Sequence, residues 1–294
     1  MTALLALVLA STYARPEMLV ETEWLARHLD DPALRIVDMR RNGDKDYVQG
    51  HIPGALNLAN DAIRDPSNAP TFLPSEETFG RTMGGLGIGN NTRVVVYDER
   101  GGLYAARLWW ILNYFGHSDV ALLNGGWVKW SKEGRPVSTD LRRVEPLAFS
   151  TSPAPRWLAT ASDVLDAIDK AGHKIIDART PDEIEGKDLR GIKRGGFIPS
   201  STPFYWEDAL DPEWKTIRPA GEIEKLLQSK GLRPSDAVIA YCQVGMRASH
   251  DLFVLHLMGW GDLRNYYGAW EEWGNRDDLP LATVSKPDRE RSSS

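Results

Sequence analysis

The sequence predicts an α/β protein built from two copies of one unit, each a mostly parallel sheet flanked by helices. Three observations carry this expectation. Short apolar runs of strand length alternate with longer amphipathic runs along the 294 residues, the pattern of repeated strand–helix units. Blocks from the first half recur in the same order in the second. The one cysteine, Cys242, ends an apolar run and precedes a helix-forming one, the end of a parallel strand where such sheets gather reactive groups.

In the first copy, Glu23-Trp24-Leu25-Ala26-Arg27-His28-Leu29 is a helix candidate, and Ile36-Val37-Asp38-Met39-Arg40 reads as a buried strand ending in Asp and Arg. Val94-Val95-Val96-Tyr97-Asp98 is the next strand, Leu103 to Tyr114 a helix, and Val120-Ala121-Leu122-Leu123 a further strand. In the second copy Ile175-Ile176-Asp177-Ala178-Arg179 repeats the Asp/Arg strand 139 residues later, and Val238-Ile239-Ala240-Tyr241-Cys242 parallels the strand that ends in Asp98. Gly116-His117-Ser118-Asp119-Val120 parallels Gly259-Trp260-Gly261-Asp262-Leu263, and Gly125-Gly126-Trp127 parallels Gly268-Ala269-Trp270. The step from Gly116 to Trp127 equals that from Gly259 to Trp270. Four matched blocks in one order indicate an internal duplication. The units are expected at residues 18–144 and 157–284, joined by 145–156, whose Pro and Ser content suits an extended linker.

Composition narrows the function classes. A net charge of -6 gives no electrostatic case for nucleic acid or an anionic membrane surface. A single cysteine excludes an intrachain disulfide and a cysteine-rich metal site, and the six His show no paired ligand spacing. No cofactor is expected. The eleven Trp are expected in the core and between units. Leu4 to Ala10 is an apolar run followed by Thr12-Tyr13-Ala14, a signal-peptide pattern without its positive n-region. The chain is therefore expected to be a cytoplasmic monomer, with export as the alternative if residues 1–14 are a signal peptide. The polar tail from Ser285 to Ser294 is expected to be disordered.

The chemistry centres on Tyr241-Cys242-Gln243-Val244-Gly245-Met246-Arg247. On a turn between a strand and a helix, backbone N–H groups and the positive end of the helix dipole converge and favour a thiolate. Gly245 suits a tight amide ring that needs a positive φ. This reading requires the sulfur to face those amides and to lie within reach of solvent.

With these residues in hand, the chain resembles the rhodanese family, and more narrowly its two-domain thiosulfate sulfurtransferases. Tyr47-Val48-Gln49-Gly50-His51-Ile52-Pro53-Gly54-Ala55 fits the N-terminal signature of the family. Asn265-Tyr266-Tyr267-Gly268-Ala269-Trp270-Glu271-Glu272-Trp273 fits the C-terminal one, with Tyr267 where an acidic residue is usual. The resemblance implies an inactive first domain, with Asp98 in place of the cysteine, and an active second domain. It implies that Cys242 takes the outer sulfur of thiosulfate as a persulfide and passes it to cyanide or a thiol. Gln243, Val244, Gly245, Met246 and Arg247 would form the substrate cradle. Arg247 resembles the arginine of bacterial Cys-Arg-Ile-Gly-Glu-Arg loops, and Ser249-His250 fits them too. Arg247 is read either as a substrate contact or as an arginine tied to a carboxylate. Four residues separate Cys242 from Arg247, against five in the phosphatases that share the fold, so the narrower ring favours one sulfur atom. Some relatives carry a substrate arginine where this chain has Glu183, which leaves Arg179, Arg190 and Arg194 as candidates for a basic wall. Mercaptopyruvate as donor, and a sulfur-relay protein with incidental turnover, are the alternatives.

Other features are expected to be structural. The glycine run from Gly84 to Gly89 lacks a preceding strand and is read as a loop. His51 is read as a histidine that ties down the loop around Pro53, His250 as a group the thiolate does not need, Phe197 as core, and Leu252 to Met258 as core helix.

Overall fold

The computed structural model describes residues 12–69 and 72–284. The apolar N-terminal run and the polar tail from Ser285 lie outside the described residues. The first unit contains β1 (Leu19–Val20), α1 (Thr22–Arg27), β2 (Leu34–Asp38), α2 (Asp44–Tyr47), β3 (Ala55–Asn57), α3 (Glu76–Gly85), β4 (Arg93–Tyr97), α4 (Leu103–Tyr114), β5 (Val120–Leu123) and α5 (Gly126–Lys132). The second repeats the order with β6 (Leu158–Ala159), α6 (Ala161–Ala167), β7 (His173–Asp177), α7 (Pro181–Ile184), β8 (Thr202–Pro203), α8 (Ala220–Ser229), β9 (Ala237–Tyr241), α9 (Met246–Leu257), β10 (Leu263–Tyr266) and α10 (Ala269–Trp273). The two sheets have the same strand order, β1-β5-β4-β2-β3 and β6-β10-β9-β7-β8. Every strand pairing within them is parallel. Strands covered on both faces read as continuous apolar runs, and Val94, Val95 and Val96 of β4 are all fully buried.

The duplication extends to individual hydrogen bonds. Asp38 accepts a forked pair from Arg40 (Nε 3.1 Å, Nη2 2.7 Å) and a third bond from the Tyr97 hydroxyl (2.6 Å). Asp177 does the same with Arg179 (2.9 and 2.7 Å) and Tyr241 (2.5 Å). Each guanidinium also donates to a glycine carbonyl, Gly50 or Gly196, and lies 4.2 Å over a tryptophan, Trp127 or Trp270. A planar fork saturated by a carboxylate, a carbonyl and an aromatic face can be buried without an unpaired charge.

The segment between the units is extended but not free. Leu147 N–H donates to the Gly84 carbonyl, Ser152 N–H to Phe115 and Ala154 N–H to Tyr114. The glycine run explains this contact. Gly84 and Gly85 are not loop residues, as the sequence suggested, but the last turn of α3. A Cβ on Gly84 would stand 2.3 Å from the Leu147 carbonyl oxygen, so the bare backbone lets the linker lie against the helix.

Helices α4 and α9 pack against each other and join the units. Trp109 meets Phe253 edge to face, with ring centroids 5.3 Å apart. His250 Nε2 donates to the Gly101 carbonyl at 3.2 Å, and Arg100 pairs with Glu207 at 3.1 Å. Burial pushes the His250 imidazole down to about 4, so it is neutral at ordinary pH. Of Leu252 to Met258, expected as core helix, Leu252 to Leu255 and Leu257 are buried, while His256 and Met258 are half-buried and Met258 caps the helix. Phe197 is half-buried rather than core and bridges Ala282. His51 bonds the carbonyls of Tyr47 (2.8 Å) and Asp140 (3.1 Å), a structural role.

Candidate active site

Cys242 directly follows β9, and α9 begins at Met246 after Gly245 in left-handed conformation, φ +76°. Gly245 is needed twice over, because a Cβ there would also lie 2.3 Å from the Tyr267 ring. The Cys242 carbonyl accepts Trp270 N–H (2.9 Å) and the Gln243 carbonyl accepts Glu271 N–H (3.1 Å), which pins the back of the loop to α10. Among the described residues, no protein acceptor engages the N–H groups of Gln243 through Ala248.

The first unit shows what such a loop does with its donors. Asp98 follows β4, and its carbonyl accepts Trp127 N–H at 2.8 Å, as Cys242 does from Trp270. Asp98 Oδ1 accepts the N–H groups of Arg100 (2.7 Å) and Gly102 (2.9 Å), and Oδ2 accepts those of Tyr104 (2.7 Å) and Ala105 (2.9 Å). Counted from the left-handed glycine before each helix, Tyr104 and Ala105 correspond to Arg247 and Ala248. The first loop thus carries its own anion. The second has a thiol at that place and donors left over. The loops also differ in length, with five residues (98–102) between strand and helix in the first and four (242–245) in the second.

The sulfur is less accessible than the sequence suggested. Cys242 has 0 % exposure, while Gln243, Val244, Met246 and Arg247 around it are half-buried. A donor reaches it only when loop side chains move aside. The surroundings are not purely apolar, however. Arg247 faces Cys242 and forks onto Glu183, with bonds of 2.5 and 2.8 Å. Burial alone would raise the Glu183 carboxyl, but Arg247 and the Thr180 cap overcome it and hold the group at about 2. Of the two readings of Arg247, the carboxylate-tied one describes its contacts. Glu183, which also accepts from Thr180, is the second charged member of the loop's surroundings.

The arginines proposed for a basic wall separate. Arg179 is not in a cleft: it is buried in the Asp177 fork against Trp270. Arg194 is likewise taken up by carbonyls, donating to those of Leu279 (2.9 Å) and Trp273 (2.7 Å), which ties α10 to the segment after it. Both are spent on stability, because a guanidinium that must be buried takes the nearest oxygens that satisfy its fork. Arg190 is exposed and lies 3.8 Å from Glu183, near the Arg247 pair.

Three buried groups complete the site. Tyr267 is fully buried, stacks on Trp110 of the first unit at 4.8 Å, and its hydroxyl has no hydrogen-bond partner. Arg107 of α4 lies 5.7 Å from the centre of the Tyr267 ring. Asp251 is buried with neither carboxylate oxygen bonded. Burial pushes its carboxyl well above the usual range, and the nearby Cys242 and Asp208 push it further. A cavity of about 620 Å³ lined by Arg15, Arg156, Trp157, His256 and Arg264 opens at the other ends of the strands, before β5 and β10, away from Cys242.

The Rhodanese-like domain family matches the chain twice, over residues 21–133 and 160–276. The chain belongs to the rhodanese family. Its relatives include the "Thiosulfate sulfurtransferase" of Corynebacterium glutamicum, 36% identical, with 92% of each chain covered. They also include the "Sulfur carrier protein TtuD" of Thermus thermophilus, 35% identical over 92% of this chain and 98% of that one. Among solved structures, EanB in complex with ergothioneine superposes with a TM-score of 0.84 at 25% identity, covering 92% of this chain and 71% of EanB. The tandem rhodanese-like architecture expected from the sequence is the one observed.

Sequence reasoning missed Arg107, Asp251 and the partner of Arg247. A signal was present for the first two. Arg107 is the lone charge in Leu103–Tyr114, and Asp251 is the lone acid in Met246–Leu257. A charge isolated on an apolar helix is buried and must be accounted for. Glu183 lies 64 positions from Arg247, and nothing local links the two.

Proposed function

We propose that the chain is a thiosulfate sulfurtransferase in which Cys242 carries the sulfur. The contrast between the two loops carries this reading. One set of amides is saturated by the Asp98 carboxylate, and the other follows a thiol at the equivalent place with its donors unspent. Amide rings of this kind stabilise an anion at their centre. The Cys242 thiolate attacks the outer sulfur of thiosulfate, the S–S bond of the donor breaks, and sulfite leaves with the electron pair. The negative charge then resides on the terminal sulfur of the Cys242 persulfide, within the cradle of residues 243–247. Cyanide or a thiol takes that sulfur in a second half-reaction, so the kinetics are ping-pong. On this reading the catalytic unit is residues 157–284 and the supporting unit residues 18–144, with 145–156 between them. Arg247, its charge offset by Glu183, forms a fixed wall of the cradle, and Arg190 at the rim meets the donor first.

The test is intact mass after thiosulfate treatment. The protein should gain about 32 mass units, one sulfur, and lose them on adding cyanide, as a covalent intermediate requires. Cys242→Ser should gain none, and retained thiocyanate formation by that variant would remove the thiol from the mechanism. Comparing kcat/KM for thiosulfate and mercaptopyruvate decides the donor. A second reading is favoured by the relative named a sulfur carrier: the persulfide is handed to a protein. It predicts slow turnover with cyanide and fast discharge to that partner.

A further inference from the structure

Of the three arginines buried among the described residues, Arg40 and Arg179 each fork onto an aspartate. Arg107, 2 % exposed, has no carboxylate partner among the described residues. Its Nε is unbonded, and Nη2 makes only a long contact, 3.4 Å, to the Ile63 carbonyl. A buried guanidinium without an anion is costly and persists where an anion is to be received. It lies 5.7 Å from the centre of the Tyr267 ring, whose hydroxyl is also buried and makes no hydrogen bond of ordinary geometry, with Arg107 as a neighbouring cation. The Tyr267 ring in turn lies against Gly245, three residues from Cys242. Burial raises the Tyr267 hydroxyl, Arg107 and Arg64 oppose that, and Cys242 adds to it, so each of the three acts on Tyr267. Arg64 is itself tied across the units to Glu271 at 3.5 Å. Arg247 is neutralised by Glu183, whereas Arg107 has no carboxylate within ion-pair distance among the described residues.

We propose that Arg107, reaching in from the non-catalytic unit, and the Tyr267 hydroxyl together hold the anionic end of the sulfur donor, and so make the enzyme selective for charged donors. The inference rests on the sulfurtransferase reading. The sulfonate of thiosulfate lies against these two donors while its outer sulfur meets Cys242. Sulfite, a dianion, departs from the same place. Arg107 binds and orients but exchanges no proton. The first unit, whose own loop is closed by Asp98, thereby contributes to the reaction of the second.

The test compares donors of falling charge: thiosulfate (a dianion), benzenethiosulfonate (a monoanion) and dimethyl trisulfide (neutral). The readout is the rate of Cys242 modification by mass: a persulfide from the two anions, with sulfite or benzenesulfinate leaving, and a methyl disulfide from the trisulfide, with methyl persulfide leaving. Arg107→Met should slow loading from thiosulfate by about 30-fold or more and from the neutral trisulfide by less than about 3-fold, as expected when a charge-assisted bidentate contact is lost. Arg107→Lys should fall between, and Tyr267→Phe should lose about 5- to 20-fold with thiosulfate alone, as for one hydrogen bond to a charged group. Equal losses with all three donors, or none, overturn the proposal. If Arg107→Met does not fold, the Lys and Phe variants decide it by the same ratio. Wild-type protein that takes up no sulfur overturns the sulfurtransferase reading itself, whereas normal loading with charge-independent variants overturns only the role of Arg107.

Discussion

Gly245→Ala concentrates the local demands of the site on one methyl group. The backbone there has φ +76°, where a residue with a Cβ loses about 1–2 kcal/mol. The added carbon would lie 2.3 Å from Cδ2 and 2.7 Å from Cε2 of Tyr267, well inside contact distance. The ring cannot swing away, because Trp110 stacks on it at 4.8 Å and it is fully buried. Overpacking of this kind costs about 1–3 kcal/mol, giving a total of roughly 2–5 kcal/mol. That is a large part of the 5–15 kcal/mol typical of a folded domain. Gly134→Ala is the control, with φ +63° and no atom within 4 Å of the new carbon, so only the backbone cost of about 1–2 kcal/mol applies. Urea melts of both variants, and of Gly245→Ala in a Tyr267→Ala background, separate the two contributions. The steric part should vanish without the ring, a coupling of about 1–3 kcal/mol. Equal costs for the two glycines, or additivity in the double variant, would refute the packing argument.

Other expectations follow from the same contacts. Asp98→Ala removes the acceptor for four N–H groups and should destabilise the protein by about 3–5 kcal/mol in denaturant melts, without affecting the loop of Cys242. Glu183 is held at about 2 against an ordinary 4.5, so its contribution is complete above pH 4.5 and is lost as the pH falls toward 2. Glu183→Gln should therefore cost about 3 kcal/mol at pH 7 and less than half of that at pH 3; a gap independent of pH would contradict the pairing. Asp251 has the opposite sign. Its raised carboxyl contributes stability fully below pH 3.8, and that stability is lost as the pH rises through the folded value. Asp251→Asn should match wild type at pH 3 and be the more stable protein at pH 8, and a lower melting temperature at pH 8 would contradict the buried-acid account.

Much of the fold was legible because parallel strands and their covering helices write long apolar runs. Leu103–Tyr114 and Val120–Leu123 have the bounds read from the sequence. The recurring Asp-x-Arg at the end of β2 and β7 was legible as a repeat, but not as a buried fork beneath a tryptophan, since its partners come from three separate segments. That is why Arg179 looked like a substrate contact. The cysteine loop was visible because its chemistry is local: a thiol, a glycine and a helix start within five residues (242–246). Its surroundings were not. Glu183, Arg107 and Tyr267 reach it from distant positions and partly from the other unit, and only the lone charge in an apolar helix hints at them. The Gly84 run reads as a loop in the sequence because turns and the close approach of another chain segment both favour a residue without a Cβ.

The single extra residue between β4 and α4 has a consequence for the origin of the division of labour. With Asp98 satisfied by four amides in the longer turn, exchanging that aspartate for a cysteine would leave a thiol in a ring of a different circumference. On the proposed reading, giving the first half a cradle like that of Cys242 would take a deletion as well as a substitution. A point mutation in the first half would therefore not by itself reproduce the loop geometry of the second.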